Sequence, residues 1–197
     1  TGGLLVDSNG FNLTVPQLLG GTGGIVKTGV SSLSLTGANS YTGPTSIVEG
    51  RLVTTTASDA TGAITLSDFT GFGLTQTIID EVYNTSAITF GSSDNTLDFN
   101  LGNFAGNTAS APLNVSGPAG SLTLDGDVTV NIADTNIVVG VIPLISYTGL
   151  KAGTGTFLLG TLPDGVVASL LPSDVAGPSL LSLDVTRAND PYWTGTT

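Results

Sequence analysis

Ser32-Leu33-Ser34-Leu35-Thr36-Gly37-Ala38-Asn39-Ser40-Tyr41-Thr42-Gly43 is the stretch whose reading decides the fold. Leucines alternate with Ser and Thr over its first five residues, the period-two signature of a strand with one buried face. Gly37, Ala38 and Asn39 then turn the chain. Working outward, Leu13 and Val15 precede this segment and Leu52 and Val53 follow it. Similar apolar pairs thus return at a step of about twenty residues, within the range of a solenoid coil. Gly20-Gly21-Thr22-Gly23-Gly24, Gly37-Ala38-Asn39 and Glu49-Gly50 read as the corners between them. Short strands, tight corners that accept positive φ, and small or polar residues that stack are what a parallel solenoid needs. An immunoglobulin-like sandwich shares the short strands but gives no reason for repeating coils.

The alternation continues in Thr96-Leu97-Asp98-Phe99-Asn100-Leu101, Ser121-Leu122-Thr123-Leu124 and Asp127-Val128-Thr129-Val130-Asn131-Ile132. Gly or Pro interrupts nearly every window of ten residues, so helix signals are almost absent. The expected fold is all-β. Composition narrows the chemistry. The 197 residues include 15 acidic and 4 basic side chains, a formal net charge of −11, and no His, Cys or Met. Without Cys and His there is no thiolate nucleophile, imidazole base, haem ligation or standard zinc site. Only Lys27, Arg51, Lys151 and Arg187 are positive, which argues against nucleic acid and anionic lipid surfaces as partners. No apolar run approaches the ~20 residues of a membrane span, and Thr1-Gly2-Gly3-Leu4 does not read as a signal peptide.

The segments Gly24-Ile25-Val26-Lys27-Thr28-Gly29, Leu33 through Gly43, and Thr45-Ser46-Ile47-Val48-Glu49-Gly50-Arg51-Leu52-Val53 resemble the autotransporter-associated β-strand repeat in order and spacing. Gly10 to Val15 is similar to the coil that leads into such repeats. Pro44 stands where the family usually has Gly, and is expected to stiffen that corner without ending the coil. The resemblance implies a right-handed parallel β-helix in a secreted or surface protein of bacteria. It also implies corner packing and stem burial for Lys27 and Arg51, and a corner position for Tyr41.

The rest of the chain is less repetitive. Val138-Val139-Gly140-Val141-Ile142-Pro143-Leu144-Ile145 is a continuous apolar run, which predicts a strand buried on both faces. Val166 to Leu171 and Leu180 to Val185 are expected to pair as an antiparallel hairpin across the Pro172–Pro178 loop, as part of a C-terminal β-cap or small β-sandwich. The expected organisation is β-helix coils over 1–95, continued coils and a capping segment over 96–188, and a linker or assembly tail over 189–197.

Carboxylates are the only catalytic groups present in quantity. Asp125 and Asp127 flank Gly126 and would project together from an extended segment, where they could bind Ca²⁺ or act as an acid/base pair. Asp-Gly between alternating strands is also a strong turn signal, and the turn is the preferred reading. Asp80 and Glu81 are neighbours and so point to opposite faces of a strand; a solvated edge or loop is expected there. The Gly-rich corners lack the strand–loop–helix context of a phosphate cradle. Tyr192 and Trp193 are candidates for contact with a neighbouring module or subunit.

These features describe a scaffold more than a reaction centre. The expected function is a non-enzymatic extracellular structural module, matrix- or filament-forming through coil stacking or subunit association. The alternatives are an adhesin or carbohydrate-binding module of a longer passenger, and a β-helical polysaccharide-degrading enzyme, either a glycoside hydrolase or a lyase. No catalytic residue and no cofactor is expected, with Ca²⁺ the one ion the residues suggest. The expected partners are further copies, other modules of the same protein, or surface polysaccharide.

Overall fold

The computed structural model describes residues 2–102, 109–134, 136–173 and 177–188. Strands joined by turns and bends build this part of the chain, with no helix among the described residues. The chain winds in rungs. The first holds Leu4–Asp7 (β1), Leu13–Val15 (β2) and Gly20–Gly21 (β3). The second holds Ile25–Thr28 (β4), Ser32–Leu35 (β5) and Ser40–Tyr41 (β6), and the third Thr45–Ile47 (β7) and Arg51–Thr55 (β8). Ile64–Leu66 (β9), Gly71–Thr75 (β10) and Tyr83–Thr85 (β11) form the fourth; Ile88–Phe90 (β12), Asn95–Asn100 (β13) and Leu113–Val115 (β14) form the fifth. The sixth has Leu122–Leu124 (β15), Val128–Ala133 (β16) and Gly140–Thr148 (β17), and Phe157–Leu159 (β18) continues into a seventh. Val167–Ser173 (β19) and Pro178–Arg187 (β20) follow.

Like positions stack into parallel sheets. The first sheet runs β1-β4-β7-β9-β12-β15 and the second β2-β5-β8-β10-β13-β16-β18. A third face begins as the two-strand pair β3-β6 and resumes as β11-β14-β17. The fold is a parallel β-solenoid. Its core is a set of columns in register: Leu13 pairs with Leu33, Leu33 with Leu52, Leu52 with Phe72, Phe72 with Leu97, and Leu97 with Val130. Each column member from Leu33 to Val130 is fully buried, and one continuous apolar cluster extends from Ile25 to Val185. Val53 departs from the expected column. It pairs with Ser34 on the outer face, while buried Thr54 takes the inward position, because facing alternates from Arg51 to Thr54.

The corners work by close approach. A Cβ on Gly43 would sit 2.4 Å from the backbone of Gly23 and Gly24, and one on Gly62 would sit 2.0 Å from the Gly43 carbonyl oxygen. Only glycine lets successive rungs meet at this edge. Pro44 keeps the coil going, as expected: its carbonyl accepts the Ile25 N–H at 2.9 Å, and the next residue, Thr45, donates to Ala63 O at 2.8 Å.

The C-terminal end is closed differently. β19 and β20 form the expected antiparallel hairpin, with Leu170 opposite Leu183 and Ala168 opposite Val185. β20 also pairs antiparallel with β17, so the hairpin extends the third sheet and ends its parallel ladder as a β-cap. The apolar run at 138–145 is not buried on both faces. Val138, Val139 and Val141 are 46%, 64% and 60% exposed. A register shift between Pro143 and Ile145 instead turns the adjacent Leu144 and Ile145 both inward, the usual effect of a bulge.

Candidate functional site

The polar side chains that the sequence singles out are distributed along the corners of the solenoid, and most of them join one rung to another. Lys27 occupies an inward position of the first sheet, level with Val6 and Ile47, and is fully buried. Its Nζ is 3.1 Å from Ser8 Oγ in the first rung, 2.8 Å from Thr28 O and 2.5 Å from Gly29 O in its own, and 3.1 Å from Glu49 O in the third. Burial pulls its ammonium below the usual lysine range, and the Asp7 and Glu49 carboxylates draw it back up. Glu49 returns the contact by accepting the Gly29 N–H at Oε2, 3.0 Å. The stem burial that the family resemblance implies is therefore present, and the head ties three rungs together.

Asn39 does the same at the next corner. It is 1% exposed; Oδ1 accepts the Leu19 N–H at 2.9 Å, while Nδ2 donates to Gly37 O at 2.8 Å and Ser58 Oγ at 3.2 Å. Tyr41 packs at the corner as expected, sharing a 2.8 Å hydrogen bond with Thr45 Oγ1. Tyr83 stacks obliquely on Phe72, ring centroids 6.0 Å apart. Burial raises both phenols above the usual tyrosine range. The sequence reading missed the roles of Asn39 and Tyr83. Asn39 reads only as a turn residue, and Tyr83 lies outside the repeat.

The candidate carboxylates follow one rule. Where the chain bends, ladder N–H groups lose their carbonyl partners, and side-chain oxygens take their place. Asp125-Gly126-Asp127 is the corner between β15 and β16, consistent with the turn reading. Asp127 accepts the Thr156 N–H at 2.8 Å and its hydroxyl at 2.9 Å from the next rung, bonds that lower its carboxyl below the usual range. Asp125 stays exposed beside it. Asp68 likewise accepts the N–H groups of Ser92 and Ser93 at 2.6 and 3.2 Å. Asp80 and Glu81 lie in the loop before β11 and diverge: Asp80 reaches Ala109 N and Ser110 N at 2.6 and 3.1 Å, Glu81 reaches Thr56 Oγ1 at 2.5 Å and Thr77 Oγ1. Among the described residues no three His, Cys, Asp or Glu side chains gather as a metal site would need. Tyr192 and Trp193 lie outside the described residues.

Arg51 lies along the outer face of the second sheet with its stem over Gly71 and its side chain 42% exposed, and its Nε is 2.9 Å from Asp98 Oδ2. The N–H is not aimed at that oxygen, so the contact is an ion pair and not a hydrogen bond. At the corner between the first two sheets, Phe11, Val30 and Phe69 are 70%, 78% and 70% exposed. Phe69 holds a left-handed φ of 61°, unusual for a bulky side chain. Its N–H donates to Ser93 O at 2.8 Å.

This geometry defines a class: a parallel β-solenoid whose charged groups mostly serve its own rungs. Residues 25–53 match the family model described as passenger-associated-transport-repeat. That span begins at β4 and ends inside β8, and takes in Lys27, Asn39, Tyr41 and Glu49. Over that span the chain is similar to a passenger-associated-transport repeat. No curated protein and no solved structure matches the chain.

Proposed function

We propose that this chain works as a non-enzymatic extracellular structural module of a passenger-type bacterial surface protein. The observation that carries this reading is how the corner carboxylates are used. Asp68, Asp80, Glu81 and Asp127 are each held by donors from a neighbouring rung, and do not converge on a common point in a groove. Each rung hydrogen-bonds only to its neighbours, so such a module gains length without a larger core. β19 and β20 extend the third sheet beyond β17, and β1, β2, β15 and β18 are the edge strands of the other two.

The adhesin reading has one observation in its favour. Phe11, Val30 and Phe69 form an exposed apolar edge beside Asp7, Glu49 and Asp68, the composition of a contact surface. Light scattering across a wide concentration range, with negative-stain microscopy, separates the two. Filaments or larger particles that grow with concentration support assembly; discrete particles throughout favour adhesion. Release of sugar fragments from acidic or neutral polysaccharides would contradict both.

A further inference from the structure

A cavity of about 310 Å³ lies where the terminal hairpin meets the last rungs. Tyr147 of β17 and Leu181 of β20, both buried, line its inner part together with Phe157, Leu170 and Pro172. Lys151 also lines it. Its Nζ donates to Gly155 O at 2.7 Å, using one of the three donors an ammonium carries. No carboxylate lies within ion-pair distance of Lys151 among the described residues. Of the other three cations, Lys27 is buried in the core, Arg51 pairs with Asp98, and Arg187 is exposed at the end of β20. Thr156 completes the lining, and its N–H and hydroxyl are both held by Asp127.

We propose that this cavity binds a small amphipathic monocarboxylate, with its apolar chain inside and its carboxylate on the Lys151 ammonium. Apolar walls with one convergent charged group are the usual make-up of a small-molecule site, and about 300 Å³ is the lower end of their size range. At roughly 30 Å³ per heavy atom in a liquid, the space suits about ten heavy atoms. That is the size of octanoate. Neutral ligands of the same shape gain the apolar burial but leave the ammonium without its counter-charge, so charge sets the selectivity. This proposal does not depend on the structural role above, since a cap pocket is compatible with assembly, adhesion or neither.

The test is a titration of the whole chain with sodium octanoate, followed by amide chemical shifts and calorimetry. The expected result is saturable binding with Kd on the order of 0.1–1 mM, and shifts centred on residues 147–157 and 170–172. Octan-1-ol binds about tenfold more weakly, and acetate does not saturate. Lys151→Gln brings octanoate down to the level of octan-1-ol, and Leu170→Trp, which fills the cavity, abolishes both. Absence of saturable octanoate binding overturns the proposal. So does binding that neither Lys151→Gln nor Leu170→Trp changes in a variant that keeps the wild-type amide spectrum elsewhere.

Discussion

Arg51 reaches past an entire rung to pair with Asp98. Arg51 belongs to β8 and Asp98 to β13, and β10 lies between them. The crossing is possible because β10 presents Gly71 and Gly73 on that face: a Cβ on Gly73 would sit 2.8 Å from Arg51 Nη2. Asp98 Oδ1 in turn accepts from Asn131 Nδ2 at 2.7 Å, and Asn131 Oδ1 accepts from Thr161 N at 2.8 Å. One polar chain thus runs along the outer face from the third rung to the seventh.

Its energetic weight is small because the pair is partly solvated. A double-mutant cycle of Arg51→Gln and Asp98→Asn, read by urea unfolding, should give a coupling of at most about 1 kcal/mol. The coupling shrinks as salt is added. A coupling that is larger and indifferent to salt would mean the pair is desolvated.

Lys27 behaves differently because nothing replaces its donors. Lys27→Met matches the apolar column of Val6 and Ile47 but takes the ammonium from Gly29 O and Glu49 O, while Thr28 O keeps the Ser8 N–H. The loss should be about 2–4 kcal/mol in urea or thermal unfolding, the range for a buried charged partner removed from its acceptors. An equally or more stable variant would show that the buried charge is a net burden.

Gly43→Ala tests the glycine edge. The added methyl meets backbone atoms of Gly23 and Gly24, which cannot rotate away as a side chain would. A loss of about 2–4 kcal/mol is expected in the unfolding midpoint. Gly10→Ala is the control for added bulk, since its Cβ would meet nothing within 4 Å, although its φ of 82° adds strain of its own.

Alkaline pH should unfold the protein. Tyr41 and Tyr83 keep their protons in the folded state above pH 10, where unfolded tyrosines release them, so stability falls as pH rises past 10. Lys27 acts in the opposite sense: its folded value lies below 10.5, so stability gains as pH climbs toward 10.5. Above pH 10.5 the lysine contribution levels off, and the two phenols set the slope. Tyrosinate absorbance of Tyr41 and Tyr83, assigned with Phe variants, should appear only together with loss of β circular dichroism. Ionisation of either within an intact fold would contradict their burial.

The early rungs are legible in the sequence because they are nearly equal in length. Leu13, Leu33, Leu52 and Phe72 stand about twenty residues apart and share one column. Beyond Phe72 the step to Leu97 and then Val130 lengthens, because the two-residue β3 and β6 give way to the longer β11 and β14 and the loops around them grow. The periodicity disappears from the sequence while the register persists. The hairpin was readable from Leu170 and Leu183 in alternating runs, but the bulge at Pro143 was not, since an apolar run does not show which residue skips a face. The candidate carboxylates were visible as residues and not as acceptors: the Asp127–Thr156 bond spans 29 positions, a separation no local motif records.

Register is the claim on which everything else stands, and cysteine pairing measures it, since the chain has no Cys of its own. Thr65 of β9 is paired directly with Thr89 of β12, and Thr89 with Thr123 of β15. Neighbouring strands lie ≈ 4.8 Å apart, within the Cα range a disulfide spans, whereas two steps exceed it. The double variants Thr65→Cys/Thr89→Cys and Thr89→Cys/Thr123→Cys should each oxidise to an intramolecular disulfide in the folded protein, and Thr65→Cys/Thr123→Cys should not. Failure of both adjacent pairs, or closure of the distant one, would contradict the stacked parallel rungs.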